Sequence, residues 1–235
     1  MTSVGSYYDG YWEALEADFP LPPELERVLR QQLDPELDWL DVGCGAGRTY
    51  AQWVAPTAGR YVGVDVSAEA VEQARAAGIE AQVVPDAGEL PFDDESFDRA
   101  ICVEVMEHLF SPHAAAAEIR RVLRPGGRLV ASVPNAIYWR MRMNAVLGIW
   151  NPAGDALAIE QPWRDPHIRF FTVDALRRML LGAGFSHVDV GASGGTFLDH
   201  ATMRPTSFGT SRAYRALERR FPSLLGMTLH AVAVR

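Results

Sequence analysis

The chain contains no lysine; all 22 of its basic residues are arginine. That excludes Schiff-base chemistry and a lysine general base. It also excludes a Walker phosphate loop, which ends in Gly-Lys-Ser/Thr. Cysteine is almost as scarce. Cys44 and Cys102 make neither a metal-ligand pattern nor a disulfide framework. Both read as small, buried, reduced thiols at the tips of neighbouring strands. No apolar run approaches membrane-spanning length, and the polar N-terminal stretch lacks a signal-peptide core. A cytoplasmic protein without membrane contact is therefore expected. The net charge of −8 argues against a nucleic-acid partner held through phosphates. At 235 residues, the length fits one domain with a small cap.

What is present is glycine in a particular place. Leu40-Asp41-Val42-Gly43-Cys44-Gly45-Ala46-Gly47-Arg48 runs from an apolar stretch through an acid and three alternating glycines into a helical pattern. That order reads as buried strand, tight turn and helix start. Glycine lets a ligand approach the backbone amides and tolerates positive φ. A second apolar run, Tyr61-Val62-Gly63-Val64, ends at Asp65, placed to accept both hydroxyls of a ribose. A nucleoside cofactor follows. The dinucleotide fingerprint Gly-x-Gly-x-x-Gly is not met, because its sixth position is Arg48.

Around this segment the pattern alternates. Helices are predicted over 24–33, 47–55, from Ser67 to Gly78, over 113–123 and from Thr172 to about 183. Strands are predicted over 37–42, 60–65, 83–84, 97–103, 128–133, 186–190 and 228–234, with a turn at Arg124-Pro125-Gly126-Gly127. Such alternation implies a mostly parallel, doubly wound α/β sheet, and the last two strands form an antiparallel edge pair. Residues 134–171 and 193–226 are long for simple connections and read as a small substrate cap built from insertions.

Asp-Val-Gly-Cys-Gly-Ala-Gly followed by Gly-Val-Asp-Val-Ser resembles the class I S-adenosylmethionine-dependent methyltransferases. The resemblance covers most of 37–133 and is similar to the ubiquinone-biosynthesis and methionine-biosynthesis W-type branches. It implies a Rossmann-like, seven-stranded sheet and S-adenosylmethionine as cofactor, with S-adenosylhomocysteine as product. Asp41 and the amides near Gly43, Cys44 and Gly45 would hold the amino-acid end, with the Cys102 carbonyl as a further partner. Val66 would pack on the adenine. In Val84-Pro85-Asp86-Ala87-Gly88-Glu89, Asp86 would accept from the adenine amino group and the Ala87 amide would meet the ring edge. Tyr7-Tyr8-Asp9-Gly10-Tyr11-Trp12 resembles a short aromatic lid over residues 1–23, with Tyr8 and Trp12 facing the site.

Methyl transfer needs alignment more than acid–base chemistry, since the sulfonium is already a strong electrophile. A hydroxyl acceptor gains from a general base, and histidine is the natural one. His108, in Glu104-Val105-Met106-Glu107-His108, and His167, in Asp165-Pro166-His167-Ile168-Arg169-Phe170-Phe171-Thr172, lie where a base is useful. The first segment is similar to one that holds a divalent ion in ubiquinone-type enzymes, but the pattern is widespread in metal-free relatives and no metal is expected. Trp139, Arg140 and Arg169 are the candidate acceptor contacts, with aromatics to wall an apolar or sugar-like molecule and arginines to pair with a carboxylate or phosphate. The expectation is a one-domain enzyme, residues 1–235 with a 24–133 core, that methylates a hydroxyl of a small molecule. Transfer to nitrogen or carbon, and non-catalytic cofactor binding, are its rivals. No nucleic-acid or membrane partner is expected, and a homodimer is compatible with the sequence.

Overall fold

The computed structural model describes residues 4–14, 21–47, 51–148, 167–195, 198–199, 204–205 and 212–235. Among them, seven strands form one sheet. β1 (Asp38–Val42), β2 (Arg60–Asp65), β3 (Glu80–Val83), β4 (Phe97–Val103) and β5 (Leu123–Pro134) run parallel in the order β3-β2-β1-β4-β5. β9 (Gly226–Val234) joins β5 antiparallel, and β6 (His187–Gly195) lies antiparallel on its far side. The expected antiparallel pair is there, with the reversed strand second from the edge. A two-stranded hairpin, β7 (Leu198–Asp199) with β8 (Arg204–Pro205), stands apart.

Both faces of the sheet are covered, as near-continuous apolar strands require. On one face Leu40, Val42, Val62, Val64, Ala100 and Cys102 share a core with α5 (Pro112–Val122) and α7 (Val173–Gly182). On the other, Trp39, Tyr61, Ile101 and Val130 pack with α2 (Pro23–Arg30), α3 (Ala51–Val54) and α4 (Ala68–Ala76). From β1 the chain winds outward through β2 to β3, then returns to build β4 and β5 on the other side. The winding therefore reverses between β1 and β4, and an open α/β sheet binds its ligands outside the carboxyl ends at that reversal.

Local signals placed most element ends. The Ser67 hydroxyl accepts from the Ala70 amide at 3.1 Å and the Thr172 hydroxyl from the Ala175 amide at 3.1 Å, so both act as the expected N-caps. Three boundaries differ. The Arg124–Gly127 turn lies inside β5, which starts at Leu123 and shifts register by a bulge where Gly126 takes φ 78°. The helix expected over 47–55 is described only as the short α3 and a 3₁₀ turn, Ala55–Thr57, with residues 48–50 outside the described set. The 193–226 stretch is not all cap. Its start extends β6 to Gly195, and its end carries α8 (Arg212–Arg220) and α9 (Pro222–Leu225). Of the first insertion, α6 (Trp139–Val146) is described and residues 149–166 lie outside the described set.

The lid residues form a helix, α1 (Val4–Ala14), packed on α4. Among the described residues, no helix is long and apolar enough to cross a membrane.

Candidate active site

The glycine turn is held by β2. The Gly43 and Cys44 amides donate to the Val64 carbonyl at 2.8 and 3.0 Å, and the Gly45 amide donates to Asp65 Oδ2 at 2.9 Å. These amides are thus engaged within the protein, and the turn's three glycines serve chiefly through conformation and closeness. Gly43 and Gly45 have φ of 77° and 51°. A Cβ on Gly43 would lie 2.2 Å from a Val105 methyl, and one on Gly45 2.4 Å from the Trp12 indole. Cys44 is buried with its sulfur filling the notch left by Gly63, where a Cβ would meet it at 2.7 Å. Cys102 is fully buried in β4, and both cysteines are free thiols.

Asp65 fits a ribose. Its Oδ1 accepts from the Ser67 amide at 2.9 Å and its Oδ2 from Gly45, one amide per oxygen. Each carboxylate oxygen has a second lone pair, so a vicinal diol could be taken at the same time. Burial pushes the Asp65 carboxyl up, and the amide bonds from Ser67, Gly45 and Val66 oppose it. Val66, next to it, is half-buried. Asp86 lies exposed at the rim, its Oδ1 accepting from the Gly88 amide at 2.8 Å, and Ala87 packs against the core.

Asp41 makes a contact across the sheet that the sequence does not show. It is fully buried, and its Oδ2 accepts from the Tyr61 hydroxyl at 2.5 Å. Its neighbours across the sheet are Gly63 and Ile101, so it anchors strands beneath the turn.

Helix α1 touches the start of α4, the glycine turn and His108. Asp9 Oδ1 accepts from the Ser67 hydroxyl at 2.7 Å and from the Glu69 amide at 3.2 Å, which puts a carboxylate on the amino end of α4. Those bonds hold the Asp9 carboxyl below the usual range. Trp12 covers Gly45, and the Tyr8 ring stands edge-on to His108 with centroids 6.0 Å apart.

After β4 the structure brings together two histidines distant in sequence, His108 and His167. His108 Nε2 and His167 Nε2 lie 3.7 and 3.9 Å from the same oxygen of buried Glu107, with the two imidazole centroids 4.8 Å apart. The Glu107 carbonyl accepts from the Ile168 and Arg169 amides at 2.9 and 3.0 Å, which fixes the His167 segment against the turn after β4. Glu107, His108 and His167 form a potential metal-ligating group with ligand atoms within 4.8 Å of one another. Glu104 is not part of that group. It has φ 55°, and its Oε1 accepts from the Ser132 hydroxyl at 2.7 Å.

The arginine and tryptophan candidates divide. Arg169 donates to the Phe110 carbonyl at 2.5 Å and to the Ile168 carbonyl at 3.2 Å, tying its segment to the start of α5. Trp139 and Arg140 are half-buried in the first turn of α6. Sequence reasoning gave no role to Asn135, although it clamps the cap. Its amide side chain donates to the Gly226 and Ser223 carbonyls at 2.8 and 3.2 Å, and its Oδ1 accepts from the Ile137 amide at 3.2 Å. The signal, Pro-Asn at a strand end, was visible without its partners.

A doubly wound sheet of order 3-2-1-4-5-9-6, with a glycine turn after β1 bonded to an acid at the end of β2, defines the class I methyltransferase fold. Comparison with known proteins agrees. Residues 40–131 match the family described as a methyltransferase domain. The chain is 32% identical over 200 residues to the O-methyltransferase cnsE of Penicillium expansum, covering 80% of this chain and 68% of that one. The chain belongs to the S-adenosylmethionine-dependent methyltransferase family. Of five further curated relatives it spans only 52% to 61% of the length. Among solved structures it resembles a methyltransferase from Mesorhizobium loti, with TM-score 0.61 and 21% identity over 89% of this chain and 96% of that one. It also resembles the [4+2]-cyclase SpnF, with TM-score 0.58 and 22% identity over 90% and 80% of the two chains. These two likenesses concern the fold alone.

Proposed function

We propose that the protein transfers the methyl group of S-adenosylmethionine to a hydroxyl oxygen of a small molecule. The observation that carries this reading is the convergence of His108 and His167 on Glu107 at the carboxyl ends of the central strands, beside the lid. The relative named an O-methyltransferase supports it. Residues 1–235 are taken as one domain, with a lid over 1–23, a core over 24–133 and caps over 134–171 and 193–226.

The cofactor would supply the electrophilic methyl, and the chain's residues do the rest. Asp65 takes the ribose hydroxyls, with Val66, Asp86 and Ala87 along the adenine side. The segment from Gly43 to Gly45 and the end of β4 at Cys102 receive the amino-acid end. Asp41 contributes by holding the turn through Tyr61. Trp12 and Tyr8, on the docked lid, exclude water from the methyl and its acceptor. One of the two imidazoles draws the proton from the acceptor hydroxyl as the oxygen approaches, and Glu107 steadies the resulting charge. Trp139 and Arg140 line the acceptor side, while Arg169 fixes the His167 segment.

The test is release of S-adenosylhomocysteine from the donor across a panel of hydroxyl-bearing small molecules, followed by His108→Ala and His167→Ala. Loss of the base should lower kcat by about 10²- to 10⁴-fold while leaving S-adenosylhomocysteine affinity intact. Full rates in both variants would overturn oxygen transfer with a histidine base and favour a nitrogen or carbon acceptor. A rate that depends on added divalent cation would replace the proton-accepting role with a metal.

A further inference from the structure

Glu104 stands at the end of β4 in a backbone conformation that L-residues seldom adopt, with φ 55°. Strain of this kind persists where surrounding structure enforces it, and it concentrates at ligand sites. Two contacts enforce it. The Glu104 amide donates to the Ser132 carbonyl at 3.0 Å, and the carboxylate accepts from the Ser132 hydroxyl at 2.7 Å. Next in the chain, Val105 packs against Gly43 of the cofactor turn, as the 2.2 Å approach of a built Cβ shows. The carboxylate is thus bounded by the glycine turn on one side and the end of β5 on the other.

Its surroundings are unusual for a glutamate. Burial raises its carboxyl above the ordinary value, and the bond from the Ser132 hydroxyl opposes this. Even so, the residue keeps a large part of its surface open. Glu104 stands at the carboxyl end of β4, whose neighbours in the sheet are β1 and β5, beside the reversal of winding.

Were Asp65 to hold the ribose and the turn after β1 the amino-acid end, as proposed above, the donor would be held beside the carboxyl end of β4, where Glu104 stands. The Ser132 bond ties the carboxylate to the end of β5. We infer that Glu104 is the counter-charge of the methyl-transfer site, facing the cationic centre of the donor and the incoming acceptor. This rests on the S-adenosylmethionine reading and deepens it by assigning the residue that senses donor charge. A carboxylate so placed binds the sulfonium more tightly than the neutral thioether that remains after transfer. It thereby favours charged donor over spent product.

Three ligands of graded charge test this by calorimetry. S-adenosylmethionine carries a sulfonium and S-adenosylhomocysteine a neutral sulfur. Sinefungin carries an amine-bearing carbon in place of the methylated sulfur. In Glu104→Gln, affinity for the donor and for sinefungin should fall at least tenfold more than affinity for S-adenosylhomocysteine. Ser132→Ala, which frees the carboxylate without removing it, should give the same pattern at about two- to fivefold, and Glu104→Asp should restore part of the discrimination. Equal losses for all three ligands, or losses confined to S-adenosylhomocysteine, would overturn the assignment and leave Glu104 a structural residue. Should Glu104→Gln fail to fold, the Ser132→Ala pattern decides alone by the same two outcomes. Failure of the wild-type protein to bind any of the three would instead overturn the cofactor reading itself.

Discussion

The contact between Trp12 and Gly45 predicts a non-additive pair of mutations. An alanine at 45 meets two obstacles. At φ 51° a Cβ costs about 1–2 kcal/mol for an L-residue, whatever surrounds it. The new carbon would also lie 2.4 and 2.5 Å from two indole carbons of Trp12, distances that atoms do not tolerate. The second cost has an upper limit, because α1 can lift away. Lifting breaks the Asp9 bonds to Ser67 and Glu69, so the penalty is the smaller of the clash and the docking energy of the lid. In a Trp12→Ala background the clash is gone and only the backbone cost remains. Gly45→Ala should therefore cost about 1 kcal/mol or more beyond its cost in Trp12→Ala, a difference well above the ~0.5 kcal/mol within which independent sites add. The assay is urea unfolding of the four proteins of the cycle, with proteolysis within residues 4–14 as an independent measure of lid release. Each 1 kcal/mol corresponds to about 2–4 °C in Tm for a chain of this size. Additive costs, or a Gly45→Ala protein whose lid resists protease as the wild type does, would refute the packing argument.

Two further outcomes follow from buried polar groups. Tyr61→Phe removes the hydroxyl that donates to fully buried Asp41, so it should destabilise by about 1–3 kcal/mol in denaturant unfolding, and a loss below ~0.5 kcal/mol would count against the anchoring role. His230 is buried against Gly191, and desolvation lowers its pKa, with nearby Arg27 adding to the effect while Glu24 and Asp189 oppose it. Because the folded imidazole resists a proton that the unfolded one accepts, its contribution is intact above the ordinary value of about 6.5 and is lost as pH falls below it, by at most about 1.4 kcal/mol per unit. His230→Gln should flatten this fall relative to wild type between pH 6.5 and 5. Parallel stability curves would show that the imidazole does not titrate as its burial requires.

Legibility of the sequence followed the range of the interactions. Ser67 and Thr172 were identifiable as caps because a cap acts within three residues of itself. The link between the glycine turn and Asp65 was foreshadowed because they close the ends of two adjacent strands. The Asp41 bond to Tyr61 was hidden for the opposite reason. Whether a strand-end acid faces ligand or core depends on its partner across the sheet, and Tyr61 lies on another strand. Gly126 looked like a chain reversal because positive φ marks turns and bulges alike, and only the pairing with β4 distinguishes them. Asn135 gave no local sign of its carbonyl partners near residue 226.

The acceptor side shows the same limit most clearly. His108 and His167 were each visible as candidates, yet nothing near either announced that one Glu107 side chain would serve both, or that the Glu107 carbonyl would hold the second segment in place. That arrangement is tertiary, and it is also where relatives of this fold can diverge, since a protein named a [4+2]-cyclase shares the sheet. A fold shared by a methyltransferase and a cyclase cannot by itself select the reaction. Selection must lie in the groups that face the donor's charge and the acceptor's proton. In this chain the groups proposed for those roles, Glu104, Glu107 and His108, lie in the five residues after β4, and His167 precedes the segment pinned to them at 168–169. Changes at Glu107, His108 or His167 should therefore redirect or abolish methyl transfer while leaving S-adenosylhomocysteine affinity, read by calorimetry, intact, whereas Asp65→Ala should weaken that affinity.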